Sequence, residues 1–255
     1  MRIGIVGYGV VGKAIDYTIS QKANVVKYDK FGSYDKFSTL LKCDFIFISV
    51  PTPHISKSNR LDDSAIKENL LRLSNESYQG IVLIKSTLNL NSCSEYINEY
   101  NLRLIFNPEF LRESKTPNED FASQDQIILG NSSRKDFEAS REMYLSFFKD
   151  ASYEDVSYEE AEFIKLAQNM MLASRVALAN IVYDVCKSNS LNYDNIRKLA
   201  FDQQPLIGPN MMLVPGPDGH RGFGGKCLPK DIRAFSTVFS SDLLNEIIKY
   251  NDSLR

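Results

Sequence analysis

The sequence predicts an α/β chain in two parts: a doubly wound parallel sheet over residues 1–156, followed by an all-helical domain with one long helix over 157–255. Three observations carry this. Short apolar runs recur as far as residue 130 with helical patterns between them, the alternation that builds parallel sheets. The first run enters a glycine-rich turn and then an apolar-periodic helix. Beyond residue 156 no strand pattern recurs and the periodicity is helical.

The first strand, residues 2–7, leads into Gly7-Tyr8-Gly9-Val10-Val11-Gly12 and a helix beginning Lys13-Ala14-Ile15. Glycines so spaced between strand and helix mark a Rossmann-type dinucleotide site. Gly7 allows the tight turn, Gly9 lets the backbone approach a pyrophosphate, and Gly12 permits close helix–strand packing, with the phosphates at the helix N-terminus that Val10 and Val11 open. A second strand, 24–28, ends at Asp29, 22 residues after Gly7, near the spacing at which a carboxylate accepts hydrogen bonds from the adenosine ribose. That favours NAD as cofactor, while Lys30 next door is a cation that could compensate a 2′-phosphate.

A short helix near 34–42 precedes the apolar run 44–50, which fits a strand buried on both faces. It stops at Pro51-Thr52-Pro53, a rigid loop at the carboxyl end of the strand, where ligands of open α/β sheets bind. Asp62 caps a helix through about residue 78. Strand 81–84 ends in Lys85-Ser86-Thr87. A helix at 91–100 leads to strand 103–106 and the turn Asn107-Pro108-Glu109-Phe110-Leu111-Arg112-Glu113. Strand 126–130 and a helix over 133–148 complete the first part.

Residues 158–187 read as one helix with few breakers. About thirty residues span roughly 45 Å, more than a small domain needs. Its apolar residues surround much of its circumference, so the expectation is a homodimer through this helix, starting near Tyr158, because large apolar patches are rare on monomers. Lys165 and Asn169 lie four apart on one face, where their polar ends can converge; spacing alone also fits a snorkelling lysine and a surface amide. A helix near 193–201 follows, then a loop over 202–226 dense in glycine and proline. A loop of that length in a compact domain is usually functional or disordered. It delivers Gly222-Phe223-Gly224-Gly225-Lys226-Cys227-Leu228-Pro229-Lys230-Asp231. Pro229 suits the first turn of a helix, which puts Cys227 at or just before a helix N-terminus, where N–H groups and the flanking lysines stabilise a thiolate. Asp231 could position water or accept a proton. The alternative is a buried structural cysteine. One or two closing helices fill 229–254.

Of the 255 residues, 43% are hydrophobic and 24% charged, and the net charge is −2, the balance of an ordinary globular protein with no electrostatic case for nucleic acid or an anionic membrane. No run of about 18 apolar residues could span a bilayer, and the chain opens on a strand pattern and not on a signal segment, so a cytoplasmic location is expected. Cys43, Cys93, Cys186 and Cys227 show neither CxxC nor Cys/His ligand spacing, which gives no case for a metal centre or a disulfide framework.

Six strings, taken in order, resemble the UDP-glucose/GDP-mannose dehydrogenase family: the N-terminal GxGxxG, Val50-Pro51-Thr52-Pro53, Lys85-Ser86-Thr87, the Asn107 to Glu113 turn, Ala161-Glu162-Phe163-Ile164-Lys165 with Asn169, and the glycine-rich string ending in Asp231. The resemblance implies NAD-dependent oxidation of a nucleotide sugar's C6 alcohol twice, to the carboxylate, as in a UDP-glucose 6-dehydrogenase. The alcohol first becomes an aldehyde, Cys227 adds to it, the thiohemiacetal is oxidised to a thioester, and water finishes the turnover. It further implies that Lys165 and Asn169 stabilise the alkoxide-like oxygen and that Asp231, Thr87 and Glu113 hold the reacting water, with Glu109 as a supporting carboxylate. Pro51, Thr52, Ser86 and Thr87 would line the cofactor, and Phe110, Leu111, Arg112, Arg221, Phe223 and Gly224 the substrate. Three departures stand out: Leu88-Asn89-Leu90 replaces the family's usual proline and glycine, Lys226 stands where a small or aromatic residue is common, and family members continue into a second α/β domain. Relative to them this is a short form, with weak nucleotide-sugar binding expected. Two other readings are an oxidoreductase of the same architecture acting on a small hydroxy acid or sugar acid, and a non-catalytic NAD-binding assembly subunit.

Overall fold

The structure, a computed structural model, describes residues 1–58, 60–111, 116–238 and 241–255. The chain divides into two compact units, Met1–Pro53 with Leu61–Lys165, and His54–Arg60 with Leu166–Arg255.

In chain order the elements are β1 (Arg2–Val6), α1 (Val10–Ile19), β2 (Asn24–Tyr28), α2 (Phe37–Leu40), β3 (Phe45–Ile48), β4 (His54–Ile55), β5 (Arg60–Leu61), α3 (Ser64–Asn75), β6 (Ile81–Ile84), α4 (Ser92–Tyr100), β7 (Arg103–Phe106), α5 (Pro117–Ala122), β8 (Gln126–Gly130), α6 (Arg134–Leu145), β9 (Ser152–Val156), α7 (Tyr158–Ser188), α8 (Tyr193–Arg197), α9 (Leu228–Val238) and α10 (Asp242–Leu254). The first unit is a seven-stranded sheet in the order β2-β1-β3-β6-β7-β8-β9, while β4 and β5 pair separately. From β2 to β7 every pairing is parallel. Strand β8 then meets β7 antiparallel through the single pair Phe106↔Gly130, so the sheet is mostly and not wholly parallel. With so little ladder at this seam, packing supplies most of the join: Ile127 and Leu129 share a core with Phe47, Ile105 and Phe137, and Ile128 with Phe106 and Ala161.

The apolar runs read from the sequence are buried on both faces of the sheet, one core holding Ile48, Tyr96 and Phe106 and the other Ile5, Phe47 and Ile105. Strand β9 carries no such signal. Its residues Ser152, Glu154 and Asp155 are polar, and it is a strand because its backbone pairs with β8 over five residue pairs at the sheet's edge, where neither face has to be buried. Helix α3 starts one residue later than expected, with Asp63 in the cap position, although the Asp62 carboxylate still accepts the Ser64 N–H (3.0 Å) and is held below the usual carboxylate range by it.

The opening turns of α7 belong to the first unit. The Tyr158 hydroxyl donates to the Leu104 carbonyl (2.7 Å), and the buried Glu162 carboxylate accepts the N–H groups of Asn91 (2.6 Å) and Cys93 (2.8 Å) at the start of α4. Burial pushes the Glu162 carboxyl up in spite of those bonds. In the second unit, Ala173, Val176 and Ala177 of α7 pack with Phe223, Ile232 and Leu244, and Ala179 and Cys186 pack with Tyr193, Met212 and Val214. The expected helix over 193–201 changes character midway: after Arg197 the chain makes a π-helical turn, Lys198–Asp202, across which Arg197 pairs with Asp202. That i,i+5 contact matches the wider turn. Among the described residues no helix is long and apolar enough to cross a membrane.

At the seam, a Cβ added to Gly130 would lie 2.6 Å from the Ala161 Cβ in the first turn of α7 and 3.2 Å from the carbonyl oxygen of Ser157, the residue before it. Gly130→Ala is therefore expected to destabilise the chain by about 1–3 kcal/mol, as overpacking does. Urea unfolding monitored by circular dichroism reads this directly, and an unchanged midpoint would mean that α7 yields at that contact.

Candidate active site

In the first unit the site is assembled by strand register. The pairs Val6↔Tyr28, Val6↔Ile48, Ile48↔Ile84 and Ile84↔Phe106 align the last residues of five parallel strands. The residues that follow, Asp29, Gly7, Ser49, Lys85 and Asn107, therefore emerge in one row at the carboxyl edge of the sheet.

Gly7 has φ +88, and a Cβ there would sit 2.6 Å from the Ser49 carbonyl oxygen. Ser49 Oγ donates to the Gly7 carbonyl (2.8 Å) and fixes the turn. At Gly12 a Cβ would strike the Gly7 carbonyl oxygen at 2.1 Å, while at Gly9 it would meet nothing within 4 Å. The three glycines thus divide as their spacing suggests: Gly7 and Gly12 close the strand–helix packing, and Gly9 leaves open space before α1. No side chain caps α1, whose first residue, Val10, is exposed. This cradle fits a dinucleotide, since a helix N-terminus with free N–H groups and no Cβ in front of it accepts a pyrophosphate. The Asp29 carboxylate accepts the N–H groups of Tyr8 (2.8 Å) and Phe31 (2.9 Å), which fixes it at the end of β2. Thr52 and Ser86 are buried and Pro51 is exposed; Ser86 Oγ donates to the Val50 carbonyl (2.7 Å) and pins the 51–53 loop to the segment after β6.

Two strands along, Lys85 is buried and its ammonium lies 2.9 Å from Glu109 Oε2 and 3.0 Å from Asn107 Oδ1. The Tyr144 hydroxyl also donates to Asn107 Oδ1, and Asn107 Nδ2 donates to the Ile128 carbonyl (2.8 Å). Glu109 Oε1 accepts the N–H groups of Phe110 (2.9 Å) and Leu111 (3.0 Å). The carboxylate expected near the substrate is thus committed to Lys85 and to its own turn. That turn presents Phe110, and the buried Lys165 ammonium lies 5.0 Å from its ring centroid. Thr87 is buried beside this network's strand end. Arg112 and Glu113 lie outside the described residues. Lys85 and Asn107 stand in two of the strings that carry the resemblance but were given no role of their own, and Tyr144, inside α6, was not named.

In the second unit Cys227 is exposed and stands immediately ahead of α9, whereas Cys43, Cys93 and Cys186 are buried. Asp231 in the first turn of α9 is fully buried: Asn169 Nδ2 donates to its Oδ2 and Lys230 Nζ lies on its Oδ1, both at 2.5 Å. The glycine loop is gripped from α10. Buried Asn251 accepts the Phe223 N–H (2.6 Å) and donates to the Phe223 carbonyl (3.2 Å), docking its amide on that peptide, and Gly222, at φ +73, would bring a Cβ within 2.5 Å of the Asn251 oxygen. Gly224 would place one 2.4 Å from the Arg255 guanidinium. From α7, buried Asn180 accepts from Arg221 Nε (3.2 Å) and the Gly222 N–H (3.3 Å). Arg221, expected to face substrate, is paired with Asp184 (2.6 Å). Partial burial pushes the Asp184 carboxyl up, but bonds from Arg221 and Tyr250 outweigh it and leave it below the usual range. Asn180, Asp184 and Asn251 escaped the sequence reading because polar residues inside helices carry no motif, and Arg255, just past α10, carries none either.

A parallel sheet with an open glycine turn at α1, an acid closing β2 and a helical unit presenting a cysteine before a helix define a two-part chain of the dinucleotide-binding α/β class. The description "UDP-glucose/GDP-mannose dehydrogenase family, NAD binding domain" matches residues 23–148, and that of the same family's central domain matches 159–253. The chain belongs to that family, and its first unit carries the family's NAD-binding domain. UDP-glucose 6-dehydrogenase of Rickettsia felis is 31% identical over 225 residues, 83% of this chain and 48% of that protein. The chain spans about half the length of the curated relatives it matches first. Among solved structures, a UDP-glucose dehydrogenase from Pyrobaculum islandicum matches with TM-score 0.84 at 20% identity over 99% of this chain and 68% of its own, and UDP-D-ManNAc dehydrogenase from Pyrococcus horikoshii with TM-score 0.83 at 20% over 100% and 69%. At such identity these two speak for the fold alone.

Breaking a buried ion pair by removing one partner leaves an uncompensated charge, so Lys85→Met should cost about 3–5 kcal/mol of stability. The double variant Lys85→Met/Glu109→Gln removes both charges and should recover part of that loss. Denaturant titrations of the wild type, both single variants and the double variant give the coupling; additive losses would show that the two groups do not depend on one another.

Proposed function

We propose that this chain oxidises the primary alcohol of a nucleotide sugar to the carboxylate, with NAD as the oxidant and Cys227 as the nucleophile. One observation carries the reading: an exposed thiol stands at the head of a helix whose first turn holds a buried, doubly bonded aspartate, in a chain both of whose parts match one dehydrogenase family. The glycine turn and Asp29 would hold the dinucleotide, with Pro51, Thr52 and Ser86 behind it. Bound NAD supplies a two-electron hydride acceptor for each of the two oxidations.

The chain's own residues supply the rest. The Cys227 thiol gives up its proton and adds to the aldehyde carbon, and the former carbonyl oxygen becomes a hydroxyl. Loss of that carbon's hydrogen with its bonding electrons, and of the hydroxyl proton, leaves a thioester. Water attacks the thioester carbon, the C–S bond breaks, and the carboxylate leaves as the thiol is restored. Lys165 and Asn169, one helical turn apart on α7, donate to the oxygen on which negative charge gathers. Asp231, oriented by Asn169 and Lys230, serves the water and its proton, a task the family resemblance also gives to Thr87 and Glu113. Substitution of Cys227 by serine should stop acid formation, because a hydroxyl is far harder to ionise at neutral pH than a thiol. The assay counts NADH formed per nucleotide sugar over a panel of sugars, with the product weighed by mass spectrometry. Full conversion to acid by Cys227→Ser would sink the covalent role, and no turnover of any nucleotide sugar by the wild type would favour the hydroxy-acid or non-catalytic readings.

The same proposal includes a homodimer through α7. Met171, Leu178, Ile181 and Val185 are exposed at 58, 57, 47 and 53%, and their spacings of seven, three and four residues line them along one stripe of the helix. A second copy offers the same stripe, which suits a two-fold interface. Sedimentation at micromolar concentration should give a dimer for the wild type and a monomer for Leu178→Glu; a monomeric wild type would defeat the interface.

A further inference from the structure

Lys30 directly follows the acid that closes β2, and a cation there is what a 2′-phosphate on the adenosine ribose would seek. The structure commits it elsewhere. Lys30 Nζ donates to both carboxylate oxygens of Glu68 on α3, at 3.0 and 2.8 Å. The turn that carries Lys30 is set from Asp29, whose Oδ1 accepts the Phe31 N–H (2.9 Å) and whose backbone carbonyl accepts that of Gly32 (3.4 Å). Two other cations of β2 and α3 are also engaged. Arg72, one turn beyond Glu68, donates to the Tyr28 hydroxyl (2.8 Å) and stacks 3.6 Å from the Phe37 ring centroid, and Lys27 pairs with Asp16 (2.7 Å).

We propose that Glu68 is a specificity-determining residue for the cofactor: by holding Lys30 it withholds that cation from a 2′-phosphate, so the site takes the dinucleotide without the phosphate. The inference rests on the NAD-binding role of the first unit. Two mechanisms act together here. Asp29 disfavours the phosphate by repulsion at the ribose, and Glu68 removes the counter-charge that would offset it. The Lys30–Glu68 pair is largely solvent-exposed, so its hold on the lysine is modest and the expected effect is graded.

Calorimetric titration of the purified chain with NAD and with NADP tests this without turnover. Glu68→Gln should tighten NADP binding about threefold to tenfold, with NAD changed by less than about twofold, and the gain should shrink as salt is raised. In the double variant Lys30→Met/Glu68→Gln the gain should vanish. Both positions are exposed and outside the core, so folding is not at stake. An unchanged NADP-to-NAD ratio in Glu68→Gln, or a gain that survives loss of Lys30, overturns the role of Glu68 while leaving NAD binding standing. A wild-type chain that binds neither dinucleotide overturns the NAD reading and this inference with it.

Discussion

The constraint on which the first unit depends is the shared register of its five parallel strands. Because Tyr28, Val6, Ile48, Ile84 and Phe106 lie in one hydrogen-bonded row, the residues just beyond them are delivered side by side without any loop having to find its place. Inside the sheet the same positions must be apolar, since both faces are covered. One residue further on, the backbone leaves the ladder and polar side chains become affordable. Gly7, Asp29, Ser49, Lys85 and Asn107 occupy that row. A slip of one residue in any strand would move its polar end group into the core or out of reach of its neighbours.

Burial then decides which of these polar groups are structural. Lys85 is almost wholly removed from water, and an isolated ammonium there would cost several kcal/mol. Glu109, Asn107 and, through Asn107, Tyr144 and the Ile128 carbonyl absorb that charge. The same bonds draw the turn after β7 against the end of β6, which sets Phe110 under the Lys165 ammonium. Glu109 supports the turn, through Lys85 on one oxygen and the Phe110 and Leu111 N–H groups on the other.

The second unit solves a similar problem with amides. A glycine-rich loop has a large conformational entropy to lose, and few of its residues have side chains with which to hold it. Buried Asn180 and Asn251 supply from α7 and α10 the hydrogen bonds that the Gly222–Phe223 backbone would otherwise make to water, and Arg255 adds bonds to the carbonyls of Arg221 and Gly222. The loop is thus fixed from helices far away in sequence, and Cys227 follows it at a defined place ahead of α9. Arg221 belongs to the same scaffold, tied to Asp184 and Asn180.

The sequence by itself determined the strands of the central sheet, the glycine turn with its acid, the long helix, and the positions of Cys227, Asp231, Lys165 and Asn169 relative to helix starts and helix faces. Each of these leaves a local trace: an apolar run, a glycine spacing, a proline in a first turn, a four-residue separation. Strand β9 and the π-helical turn at Lys198–Asp202 left none, because an edge strand is made by its neighbour's backbone and the wide turn goes with one i,i+5 ion pair. Only the tertiary structure decided the partners: Lys85 with Glu109, Asn169 with Asp231, Asn251 with Phe223, and Lys30 with Glu68. Local pattern reports whether a residue is buried or exposed, but which charge meets which is set by strand register and helix packing across 24 to 62 positions of chain, and no short-range spacing encodes that.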